Sequence, residues 1–119
     1  MRPESEAERA ERHARTVAAF RAQFDPDNPP WEPYTLEQHF SAGDEGDFDG
    51  LSAALQERGF QVESLTYDPA DRERTWRLVV VRLELVDEQR LLRLSDEMDG
   101  LARQFEARYE GWATRVDEG

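Results

Sequence analysis

The sequence contains no cysteine. Disulfides, thiolate chemistry and zinc sites built on Cys are therefore excluded, and a small domain without such staples fits a reducing compartment. Lysine is missing too, so every basic side chain is Arg; we read this as the base composition of the gene rather than as function. Histidine occurs only at positions 13 and 39. No apolar run approaches the ~20 residues of a membrane span. The first ten residues are charged and lack the apolar core of a secretory signal. The expectation is a cytoplasmic protein with no membrane association.

What is present bounds the rest. A chain of 119 residues is one domain's worth. It is lean in hydrophobic residues (38%) and rich in charge (35%), but 10% aromatics argue for a packed core over disorder. The net charge is −12. Such a chain repels phosphate backbones, so nucleic-acid binding is not expected. It suits a protein partner with Arg and Lys on its surface, although acidity also serves plain solubility. Residues 1–24 carry five Arg and four Glu, which leaves the acidity to the body of the domain.

Ser5 and Glu8 form the pattern of a capping box, in which a hydroxyl and a carboxylate three residues apart satisfy free backbone N–H groups. A helix should follow, with Ala10, Ala14, Val17, Phe20 and Phe24 on one face. The run Asp25-Pro26-Asp27-Asn28-Pro29-Pro30 cannot continue it and reads as a stiff linker. An extended segment is expected over 35–42. Asp47 is placed to cap a helix carrying Phe48, Leu51, Ala54 and Leu55, which stops at Gly59. A strand over 60–67 ends at the breaker 68–71.

Residues 75–85 give the strongest strand. Trp76, Leu78 and Val80 point one way, while Val79, Val81, Leu83 and Leu85 point the other, so both faces of its centre need cover. Asp87 can cap a helix whose stripe is Leu91, Leu94, Met98, Leu101, Ala102 and Phe105. A last strand over 109–116 precedes a frayed tail, 117–119.

The order after the linker is β-α-β-β-α-β. It predicts an α+β fold of the ferredoxin-like split βαβ type, with two helices on one face of an antiparallel sheet and an extra N-terminal helix. Two units are expected: 1–33, the amphipathic helix with its Pro-rich linker, and 34–119, the ferredoxin-like domain. The N-terminal helix is the cheapest cover for the outer sheet face; a second subunit is the other, so a monomer or a homodimer follows.

Several segments resemble one family. Leu36-Glu37-Gln38-His39-Phe40 is similar to the first strand of regulator of ribonuclease activity B proteins, with Gln38 where a second His is common. The helix-glycine-strand segment from Ala53 through Gly59 and Phe60 to Val62 also resembles theirs. So does Trp76 with its valine run. Tyr109-Glu110-Gly111-Trp112 is similar to their terminal Tyr-Asp-Gly-Trp signature. The likeness runs over roughly 36–116. It implies a ferredoxin-like domain that inhibits ribonuclease E by binding it, or its degradosome, and so modulates RNA turnover. It also implies no catalytic residues and no cofactor.

Charge density, independently of that likeness, picks out a surface. Asp44, Glu45, Asp47 and Asp49 are the densest acids, and Glu63 is a possible support on the next strand. They are the expected partner-binding residues. The stretch 45–50 approaches a calcium loop, but its twelfth position is Gln56 instead of a bidentate Glu, and an acidic helix start explains it without metal. His13 and His39 have no nucleophile near them in sequence, and general acid–base work needs an oriented partner. No catalytic or metal site is expected. The Arg-Gly-aromatic strand motif and basic sheet of RNA-binding relatives of this fold are absent. Trp31, after two prolines, either docks the linker or marks a binding surface. The competing functional reading is an acidic immunity- or antitoxin-type protein that neutralises a basic partner.

Overall fold

The computed structural model describes residues 3–70 and 75–115. The expected tail 117–119, together with Val116 and Asp71, lies outside them. The element order is α1 (Glu6–Gln23), β1 (Tyr34–Ala42), α2 (Asp47–Glu57), β2 (Gln61–Tyr67), β3 (Trp76–Glu84), α3 (Glu88–Gln104) and β4 (Arg108–Arg115). The strands form one sheet in the order β2-β3-β1-β4, with every neighbouring pair antiparallel. This is the ferredoxin-like arrangement that the sequence order predicts.

Local chemistry accounts for most boundaries. Ser5 and Glu8 make both bonds of the capping box at the start of α1. Asp87 accepts from the Arg90 N–H at 2.8 Å and so starts α3. Gly59 follows the end of α2 at φ 87°, a conformation that favours glycine. The expected Asp47 cap is corrected. Asp47 is the first residue of α2, the cap position belongs to Gly46, and no side chain bonds there. The turn ahead closes on Asp44 instead, whose Oδ1 accepts from the Gly46 N–H at 2.9 Å.

The main core lies between the sheet and α2 and α3. Phe40, Phe48, Leu51, Leu55, Leu78, Val80 and Met98 are fully buried there. A Cβ on Gly50 would meet the Phe105 ring at 2.5 Å, so only glycine lets the start of α2 approach the end of α3 this closely. A second cluster unites Phe20 of α1 with Leu36, Val86, Leu91 and Leu94.

That second cluster corrects two expectations. Leu36 points to the same side of β1 as Phe40, so α1 joins α2 and α3 in one helical layer and leaves the other sheet face open. The face read from apolar spacing holds at Phe20 and Phe24 but not in the first turns of α1. Arg12, Thr16 and Phe20 are buried, whereas Ala10 and Ala14 are exposed. The reason lies on α3, which offers Ser95, Asp96 and Asp99 along the side that meets α1. Arginines answer that stripe and alanines do not.

On the open face, cover for the apolar centre of β3 comes from a side chain. The Arg115 guanidinium on β4 lies 2.8 Å from Glu37 of β1 and 3.0 Å from Glu63 of β2. With strands about 4.8 Å apart, the Arg115 and Glu63 side chains that meet between β4 and β2 together span β1 and β3. The ladder puts Val81 directly beside Glu37. Val81 is only 9% exposed with no helix above it.

Candidate functional site

Three polar regions are candidates for function, and they differ in how much of their charge is already spent.

The first is the α1–α3 contact. Arg12 donates from Nη1 to Ser95 Oγ at 2.6 Å, from Nη2 to Asp96 Oδ1 at 2.8 Å, and from both Nε and Nη2 to Glu4. Arg9 holds Asp96 with two bonds, and His13 Nε2 lies 2.7 Å from the same carboxylate. Arg103 pairs with Asp99 at 2.7 Å. Asp96 is thereby held well below the usual carboxylate range, first by the Arg9 bonds, against the opposing effect of burial, and then by Arg12 and His13. Beneath this cluster the Tyr109 hydroxyl donates to Gln38 Oε1, and Gln38, 1% exposed, sits between the two apolar clusters. Burial raises the Tyr109 phenol above its ordinary value. The groove beside these residues, about 450 Å³, is lined by Glu4, Arg12, Arg103 and Tyr109 among others. Its cations and anions pair with each other, which fits a structural clasp. Sequence reasoning missed this region. The available signal was the match of Arg9 and Arg12 to Ser95, Asp96 and Asp99 at helical spacing.

The second is the open sheet face. His39 Nε2 lies 2.9 Å from Glu37 Oε1, and Ser41 donates to Glu110 at 2.7 Å. Arg115 lowers the Glu37 pKa, with His39 assisting against partial burial. Glu63 falls here, at a bulge between Val62 and Ser64, and its ion pair with Arg115 makes it part of this network. The structure therefore does not join Glu63 to the other expected residues, which lie past the Ala42 end of β1.

The third is that end. Asp44 and Glu45 are exposed in the turn after β1, Asp49 is exposed in the first turn of α2, and Asp47 is half-buried beside them. These four are brought together as the sequence suggested. The acids at 47 and 49 complement the positive end of the α2 dipole. Asp68 joins them from the β2–β3 turn, since Tyr67 pairs with Trp76, and Trp76 with Ala42. Asp44, Glu45, Asp49 and Asp68 make no ion pair with another described residue. From Ala22 to Glu57 the chain has nine acids and no Arg or Lys. The acid left unanswered there gives an electrostatic surface for a cationic partner.

Among the described residues no group of His, Asp and Glu is arranged to hold a metal ion, and no helix is long and apolar enough to cross a membrane. A search of curated proteins gives no match. The sequence profile of the family described as Regulator of ribonuclease activity B matches residues 8–114. That span takes in most of α1 and the Pro-rich linker, beyond the 36–116 over which the motifs themselves are recognisable. With all four strands and the order of helices also in place, the chain belongs to the regulator of ribonuclease activity B family.

Proposed function

We propose that this chain is a non-catalytic inhibitor that binds ribonuclease E, or a component of its degradosome, in the cytoplasm and thereby slows RNA degradation. Membership in a family of ribonuclease regulators supports the regulatory role. The observation that carries the mechanism is the acid at one end of the sheet, where Asp44, Glu45, Asp49 and Asp68 make no ion pair with another described residue. Asp44, Glu45, Asp47 and Asp49 share one turn and helix start, with Asp68 beside them. Their role is to occupy a cationic segment of the nuclease or its scaffold and keep it from productive contact with RNA. Glu63 contributes less directly, because Arg115 already holds it.

The test is the cleavage rate of a labelled RNA by ribonuclease E as this protein is added. Saturable inhibition that weakens with salt is expected, because exposed charges are screened over about 8 Å at physiological ionic strength. The variant carrying Asp44→Asn, Glu45→Gln, Asp47→Asn and Asp49→Asn should need at least fivefold more protein for half-inhibition, roughly 1 kcal/mol. Inhibition by the variant equal to that of the parent would remove this surface, and no inhibition at any concentration would remove the target.

A further inference from the structure

The far end of the sheet, where β1 begins, carries a different kind of surface. Leu83 is 65% exposed and Leu85 44% exposed. Both continue the outward alternation of β3, and Thr35 pairs with Leu83. Trp31 is 83% exposed, the most of any large hydrophobic residue described. It lies three residues before Tyr34, which pairs with Glu84, so its backbone is within about 11 Å of the ladder by chain reach. Three large apolar side chains thus face water at one end of the molecule, in a chain that buries its other tryptophans at least partly.

Arg115 shares a cross-strand row with Thr35 and Leu83 but is held by Glu37 and Glu63, and Arg82 is held by Glu84, so the unpaired charge at this end has one sign. Asp25 and Asp27 lie in the turn after α1, where Asp25 accepts from the Asp27 N–H, and Glu32 follows Trp31; all three are exposed and none makes an ion pair with another described residue. The exposed residues on the edge strand β2 are divided: Tyr67 belongs to the acidic end beside Asp68, while Val62 and Leu65 lie along the edge itself. Their strand is interrupted by a bulge between Val62 and Ser64, which guards an edge.

We propose that Trp31, Leu83 and Leu85 form a docking platform for a basic amphipathic segment of a partner protein, whose apolar side chains cover the three while its Arg or Lys side chains meet Asp25, Asp27 and Glu32. Aromatic and aliphatic anchors ringed by charge are how such interfaces concentrate their energy. A second copy of the chain fits less well, because two bodies of charge −12 would meet acid against acid. Nucleic acid and anionic lipid are disfavoured for the same reason. This platform is separate from the acidic end and does not rest on the ribonuclease reading.

The experiment titrates the full chain with a synthetic amphipathic helix of Arg and Leu, about 18 residues long so that it can hold helical structure, and follows tryptophan emission. A saturable blue shift is expected, and Trp31→Phe should abolish it. The double variant Leu83→Glu with Leu85→Glu should bind at least tenfold more weakly, about 1.4 kcal/mol, with an unchanged circular dichroism spectrum. That variant adds negative charge, so attraction by charge alone would make it bind tighter. Asp44→Asn with Glu45→Gln, at the other end, should change affinity less than threefold. The proposal is overturned by the absence of saturable binding, or by a double variant that binds as well as the parent. It is equally overturned if the parent dimerises and the double variant does not, since the occupant is then a second copy. A failure here leaves ribonuclease inhibition untouched, and a failure of inhibition leaves this binding curve as it is.

Discussion

Helix α3 meets its two neighbouring helices by opposite chemistry. Toward α2 the contact is dry apart from the exposed Arg58–Glu97 pair at its rim: Phe48, Leu51 and Leu55 share a core with Met98, Leu101 and Ala102, and the ring of Phe105 closes on Gly50. Toward α1 only Phe20 and Phe24 are apolar anchors, and the rest is the cluster of Arg9, Arg12 and His13 on Asp96, Ser95 and Glu4. Dry packing is indifferent to pH and to charge screening, whereas ionic packing depends on both and punishes the loss of a single member. The two sides of one helix should therefore fail under different conditions.

The largest effect tests the dry side. Leu51 is fully buried in the main cluster, so Leu51→Ala should destabilise the whole domain by roughly 3–4 kcal/mol, transfer and cavity terms together. Urea unfolding should show a lower midpoint with one cooperative transition. Loss of α1 alone would mean that the comparison is wrong.

A smaller and more local effect tests the ionic side. Arg12→Ala removes the donor shared by Glu4, Ser95 and Asp96. Removing one partner of a buried pair costs about 3–5 kcal/mol, reduced here to about 2 kcal/mol because Asp96 is partly open to water. Hydrogen exchange should quicken mainly in α1, while α2 keeps its protection. Equal acceleration in both helices would show that α1 is no separate unit of opening.

The subtlest test is acid. The folded pKa of Asp96 is depressed, first by its Arg9 bonds. Its contribution is therefore complete above the ordinary carboxylate value and is lost as pH falls through the depressed one. Glu4, lowered chiefly by its bond to Arg12, acts in the same direction. Below about pH 4, α1 should loosen before the α2–α3 core does, visible as faster exchange or proteolysis between α1 and β1. A single acid transition shared by all helices would erase the distinction.

How legible each side was follows from its chemistry. The α3 stripe from Leu91 to Phe105, the α2 core residues and the two faces of β3 were readable because apolar side chains at the period of a helix or strand have one way to leave water. The first turns of the α1 face were misread because Arg12 and Thr16 carry no apolar signal; Arg12 is buried against Ser95 and Asp96, more than 80 residues later in the chain, and Thr16 donates to the Arg12 carbonyl. The four acids at 44–49 were legible as a group because they are adjacent in sequence. Glu63 was placed with them on charge alone, and strand register sent it to Arg115 instead. Trp31 was noticed, but only the fold decided that no core takes it in.

By itself, then, the sequence determined the elements, their order and the ferredoxin-like topology, because local periodicity, caps and chain connectivity act over short distances. It also determined the acid excess, which no fold can alter. Tertiary structure alone decided which side of the sheet α1 occupies and that Arg115 joins Glu37 and Glu63 across the open face. It also decided which acids remain free for a partner. Those outcomes depend on charges far apart in the chain finding one another, and pairing over such distances leaves no period to read.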